Sequence, residues 1–186
     1  MIKIQKKGFT LIEMLVVVGV VALILPAVFS IIFTILRQQA KIYALQEVKR
    51  QGDFVLNNMR TVLKNSAVTV HSGTPPTDSN LVCATASGPS SGQIYFKDRF
   101  NNYFSYAVDS AQLIASSSSI PSTSTGLTND KVKVEEGTFS IKCERGAAFS
   151  PPIISISYVV EYDSASSRPE DTASFTYQTK IQLKSY

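Results

Sequence analysis

The stretch KKGFTLIEMLVVVGVVALILPAVFSIIFTIL, residues 6–36, decides how this chain is built. Of the 28 residues from Phe9 to Leu36, 22 are hydrophobic and only Glu13 is charged. Roughly 20 apolar residues span the hydrocarbon of a bilayer, so this stretch is long enough to cross one. An ionised carboxylate in hydrocarbon costs at least about 3 kcal/mol, so Glu13 needs a physical reason to be there. Lys3, Lys6 and Lys7 precede the span, but Arg37, Lys41, Lys49 and Arg50 follow it, and the distribution of positive charge leaves orientation open.

Outward from the span, the pattern becomes amphipathic. Leu45, Val48, Gly52, Val55, Leu56, Met59, Val62 and Leu63 recur every three or four residues, the spacing of one helical face. No proline interrupts residues 27–74, so a single helix is expected from about Phe9 to Ser66. Pro26 lacks an amide hydrogen and should kink or loosen that helix, with Gly19 as a second soft point. The Leu45–Leu63 face is the natural seat for a β-sheet, and Gly52 suits the close approach of a strand.

Beyond residue 66 the period switches to two. Phe139, Ile141 and Cys143 alternate with polar residues, as do Ile154–Tyr162 and Phe175–Leu183. Such alternation belongs to antiparallel strands with one wet face. Further strands are expected at Gln93–Lys97, Tyr103–Val108, Ala111–Ala115 and Lys131–Val134. Turn formers fill Ser72–Asn80, Ser87–Gly92, Ser116–Gly126 and Asp163–Thr172, and the low-complexity run SSSSIPSTST reads as a solvated loop. The expected fold class is α+β, a long N-terminal helix whose C-terminal half packs on an antiparallel β-sheet. The expected organisation is a leader at 1–8, a span at 9–36, and an exported domain at 37–186, with an amphipathic helix to residue 66 and β-structure from 67.

This layout excludes an ordinary soluble enzyme of 186 residues, a multi-span membrane protein and a disordered chain. The net charge of +4 falls to +1 without the three leader lysines, so no basic stripe points to nucleic acid. Chemistry is sparse. His71 is the single histidine and reads as a loop-edge surface residue. No Gly-x-Ser-x-Gly elbow or zinc-ligand spacing is present, and Asp163, Glu170 and Asp171 lack the ladder of oxygens that calcium requires. Tyr95, Phe96, Tyr103, Phe104 and Tyr106 lack Lys or Arg interleaved on one face and read as core. No metal, cofactor or catalytic residue is expected, and the chain is not expected to be an enzyme. Cys83 and Cys143 form an even pair in a domain expected to be exported. A disulfide between them and a pair of buried thiols both remain open.

The segment KKGFTLIEML, residues 6–15, resembles the class III signal of type IV prepilins and type II secretion pseudopilins: a basic leader, Gly8, Phe9, and Glu13 four residues further on. The resemblance implies cleavage after Gly8 by a prepilin peptidase on the cytoplasmic side and N-methylation of Phe9. It implies a single-pass wait in the inner membrane lipid, then extraction by an assembly platform into a filament of sister pilins. There Glu13 would pair with the N-terminal amine of a neighbouring Phe9. The runs LQEVKRQGDFVLNNMRTVLKNSAVTV (45–70) and FTYQTKIQLKSY (175–186) resemble minor subunits. Cys83 and Cys143 do not sit where major pilins hold their C-terminal disulfide, so receptor binding is not carried over. The resemblance suits a minor subunit of a type IV pilus. A type II secretion minor pseudopilin, and an adhesin or DNA-uptake tip delivered by a pilin helix, stay as alternatives.

Overall fold

The computed structural model describes residues 8, 10–73, 77–83, 94–117, 123–135, 137–147, 149–164, 168 and 171–184. It has the α+β, pilin-like arrangement of one long N-terminal helix followed by antiparallel sheets. The helix α1 runs Leu11–Ser66 and is assigned without a break across Pro26. Two compact units divide the chain, Met1–Ala40 and Lys41–Tyr186. In the first, every described residue is exposed. Its 18-residue window of highest hydropathy averages 3.0, making the helix long and apolar enough to cross a membrane.

The second unit begins in the lower part of α1. Ala44, Glu47, Val48, Gly52, Val55, Met59 and Leu63 are buried there, at helical spacing along one face. The helix ends where β-branched residues take over: Ala67 N still donates to Leu63 O, and Val68 N donates to Lys97 O instead. From that point the chain is sheet.

Six strands form the first sheet in the order β2-β1-β3-β4-β5-β6, every pair antiparallel. They are β1 Thr69–His71, β2 Leu81–Val82, β3 Tyr95–Lys97, β4 Tyr103–Asp109, β5 Gln112–Ser117 and β6 Thr123–Gly126. The second sheet contains β7 Val132–Val134, β8 Ser140–Glu144, β9 Ile153–Tyr162 and β10 Ser174–Gln182. Its centre is β9. Along one edge β9 pairs with β10 from Ile153 to Glu161; β7 and β8 divide the other edge between them. Burial alternates along β9, with Ile154, Ile156, Tyr158 and Val160 facing the core.

Two tyrosines fasten this sheet to the helix. Tyr158 Oη donates to Gly52 O at 3.0 Å, and Tyr177 Oη lies 3.3 Å from Lys49 O. The two rings stack with centroids 5.4 Å apart. A Cβ at position 52 would collide with the Tyr177 ring, so glycine is what allows the rings to reach the helix backbone. Burial, with Asp53 adding to it, pushes the Tyr177 hydroxyl up to about 12, so it stays a protonated donor at neutral pH.

Glu47 is a carboxylate on the buried stripe. Its Oε1 accepts from Arg50 Nη2 at 2.7 Å, Asn129 Nδ2 at 2.8 Å and Gln51 Nε2 at 3.3 Å. These donors, Arg50 first, hold its carboxyl below the usual carboxylate range against the opposing effect of burial.

Cys83, just after β2, is bonded to Cys143 in β8, which ties the first sheet to the second across a sequence separation of 60. A closed loop of that length restricts the unfolded chain and contributes about 2–4 kcal/mol.

Several details differ from the sequence reading. His71 is buried at 2% exposure, not on the surface. Its Nε2 meets Thr69 Oγ1 at 2.8 Å, and its Nδ1 meets Asn80 Oδ1 at 3.0 Å and Thr77 O at 3.1 Å. Thr69 on the same strand and the following loop, which folds back, satisfy the two ring nitrogens between them, which removes the penalty for burying them. The SSSSIPSTST run is not simply loop, because β5 continues to Ser117 and β6 occupies Thr123–Gly126. Residues 118–122 and the expected turn at 87–92 lie outside the described residues. The aromatic group is partly core, as expected: Phe96 and Tyr106 are fully buried, with Phe104 packed between them.

Candidate processing and assembly segment

The functional residues expected from sequence cluster at the start of α1. Thr10 is the helix N-cap and Glu13 the third helical residue, and the two satisfy each other. Glu13 N donates to Thr10 Oγ1 at 3.3 Å, while Glu13 Oε2 accepts from Thr10 N and Thr10 Oγ1, both at 3.1 Å. The first helical bond, Met14 N to Thr10 O, closes at 3.2 Å. This is a reciprocal capping box, which satisfies donors that a helix start otherwise leaves orphaned. The carboxylate also stands at the positive end of the helix dipole. Both Thr10 bonds fall on Oε2, and Glu13 Oε1 carries no hydrogen bond among the described residues.

Gly8 is exposed, with open space where a side chain would stand, and Phe9 lies outside the described residues. Thr10, the capping partner of Glu13, is absent from the sequence reading. The Thr-x-x-Glu spacing T-L-I-E that marks a capping box is legible in the sequence, inside an apolar run.

Glu13 apart, the helix from Leu11 to Leu36 offers an apolar surface broken only by Ser30 and Thr34. Leu11, Leu23, Val18 and Leu15 are each at least 63% exposed, and Phe29, Ile31 and Phe33 continue the surface. The Thr34 hydroxyl is contained: its Oγ1 donates to Ser30 O at 2.9 Å, one turn back. Pro26 lies inside the helix and has no amide to donate to the preceding turn.

Elsewhere the chemistry stays dispersed. Among the described residues no three His, Cys, Asp or Glu side chains gather as a metal site. Asp171 pairs with Arg168 at 3.3 Å, Glu170 lies outside the described residues, and His71 is engaged by Thr69, Thr77 and Asn80. Cys83 and Cys143, as a disulfide, supply no thiol.

No curated protein and no solved structure matches this chain. A family profile described as the prokaryotic N-terminal methylation motif matches residues 4–25. That interval holds Gly8, the Thr10–Glu13 cap and most of the apolar span, so the chain carries a type IV prepilin-like class III signal.

Proposed function

We propose that the protein is a structural subunit, of the minor kind, of a type IV pilus or a related filament. A prepilin peptidase removes residues 1–8, and Phe9 becomes the methylated N-terminus. Residues 9–36 anchor the chain in the inner membrane, and residues 37–186 are exported. An assembly platform then moves the chain into a filament, where it packs against other pilins and acts by assembly.

The observation that carries this reading is the methylation motif at residues 4–25 leading into an apolar helix with no buried residue in its span. Such a surface suits lipid first and neighbouring helices afterwards. The geometry of Glu13 adds support. Its Oε2 is occupied by Thr10, and its Oε1 is left to accept the amine of an adjacent Phe9. Pro26 supplies the point where the helix loosens on packing.

The test of processing is mass spectrometry of the protein from cells with an active prepilin peptidase. The expected mature chain begins at N-methylated Phe9; an uncut chain, or one cut near Ala27, overturns the reading. The test of assembly is Glu13→Gln, which should be cleaved normally and yet be depleted from sheared filaments. Equal incorporation of wild type and variant, at matched membrane levels, rejects the role of the carboxylate.

A further inference from the structure

The outward face of β8, β9 and β10 carries a feature that assembly through the N-terminal helix does not use. Lys142, Ser155 and Lys180 stand in register straight across the three strands. A cleft of about 410 Å³ opens over this row. Ser155 lines that cleft, and its Oγ is buried with no hydrogen-bond partner among the described residues. A buried hydroxyl in that state is unfavourable, and native structures keep few of them.

The neighbouring row adds the Ser157 hydroxyl and the Gln178 amide. Lys180 Nζ is 3.5 Å from the Glu144 carboxylate, while Lys142 has no ion pair among the described residues. The lining therefore holds two ammonium groups against one carboxylate, with hydroxyl and amide donors between them. It contains no aromatic ring on which a base or sugar would stack. Donors converging on a net positive cleft suit an anion with several acceptor oxygens.

We infer that this cleft binds a compact oxyanion, the phosphoryl or carboxylate group of a ligand, bridged by Lys142 and Lys180 above the donating hydroxyl of Ser155. Glu144 competes with the anion for Lys180 and keeps affinity modest. Both Lys180 and Glu144 are substantially exposed, so binding weakens with salt. The inference rests on the second sheet alone and is independent of the proposed assembly role.

The experiment titrates full-length protein in maltoside micelles with sodium phosphate or sodium acetate at constant ionic strength, following backbone amide resonances. Saturable shifts centred on residues 142, 155 and 180 are expected. Lys142→Gln and Lys180→Gln should each weaken binding by about fivefold. Glu144→Gln should tighten it, since the competing carboxylate is gone. Ser155→Ala should weaken binding by about threefold while leaving the melting temperature unchanged or raised, because the hydroxyl it removes has no protein partner. Lys133→Gln, on the same sheet and paired with Glu161, should leave affinity unchanged. Tighter binding of phosphate assigns a phosphoryl ligand, and tighter binding of acetate a carboxylate. No saturable shift with either anion overturns the inference. So does affinity indifferent to both lysine variants, or a Ser155→Ala variant that melts lower with affinity intact.

Discussion

The first forty residues and the rest of the chain use the same kinds of side chain to opposite ends. Val16, Val17, Val20 and Ile24 are about half exposed, whereas Val48, Val55, Met59 and Leu63, on the same helix, are fully buried. Both sets lie on helix α1, so helix formation alone does not separate the two regions. What separates them is the polar face: below Ala40 the helix alternates its apolar stripe with Lys49, Arg50, Asp53 and Arg60, and above it apolar residues surround the axis. A helix with one apolar stripe is completed by its own chain, and a helix apolar all round by other molecules.

The comparison is broken most directly by truncation on each side. Met59→Ala leaves a cavity under the sheets and should lower the stability of the second unit by about 2–5 kcal/mol, read as a fall in its thermal midpoint. Leu15→Ala should leave that midpoint unchanged. Equal effects from the two variants would mean the regions do not differ as described.

Next in size is the link between the sheets. Replacing both Cys83 and Cys143 by serine should cost about 2–4 kcal/mol. Reductant should lower the midpoint of the wild-type protein and leave that of the double variant alone. Wild-type stability indifferent to reductant would contradict the bond.

A smaller effect, of opposite sign, is expected at the β4–β5 hairpin. Ser110 and Ala111 both hold positive φ, at 50° and 62°, in a two-residue turn. Neither residue type favours that conformation, which Asn-Gly adopts readily. The double change Ser110→Asn, Ala111→Gly should stabilise by about 1 kcal/mol in denaturant unfolding. A loss of stability would show that the turn holds these residues for another reason.

The smallest effect concerns Glu47. Its folded carboxyl titrates below the ordinary value, so it contributes stability above the unfolded pKa, and that contribution is lost as pH falls through the lowered folded value. Stability measured from pH 6 down to pH 3 should decline less steeply in Glu47→Gln than in wild type. Identical slopes would remove Glu47 as a source of acid sensitivity.

Much of this architecture was legible because its signals are periodic and long. The stripe through Val48, Val55 and Met59 announced the packed face, and alternation along Ile154–Tyr162 announced the central strand of the second sheet. Short strands were not legible. Leu81–Val82 and Thr123–Gly126 carry too few residues to show a period, and they are strands because β1 and β5 offer them an edge. His71 was misread because its partners Thr77 and Asn80 return through a fold of the loop. Glu47 went unnoticed because Asn129, which helps to satisfy it, is 82 residues away. In the N-terminal segment Gly8, Phe9 and Glu13 were named from the resemblance of KKGFTLIEML to prepilin signals, which one short stretch of sequence carries. The cleft at Ser155 needed the register of three strands, which no single stretch of sequence carries.

The closure of Tyr177 over Gly52 sets an order of events in the making of the protein. The rings that lock the helix to the second sheet come from β9 and β10, at sequence separations of 106 and 128 residues from their partners on α1. A chain released early by the ribosome therefore presents Val48, Val55 and Met59 without their cover. Exposed apolar surface of that kind is what proteases and chaperones act upon. Helix α1 is thus made before the strands that cover it, and its apolar face waits for β9 and β10 to follow.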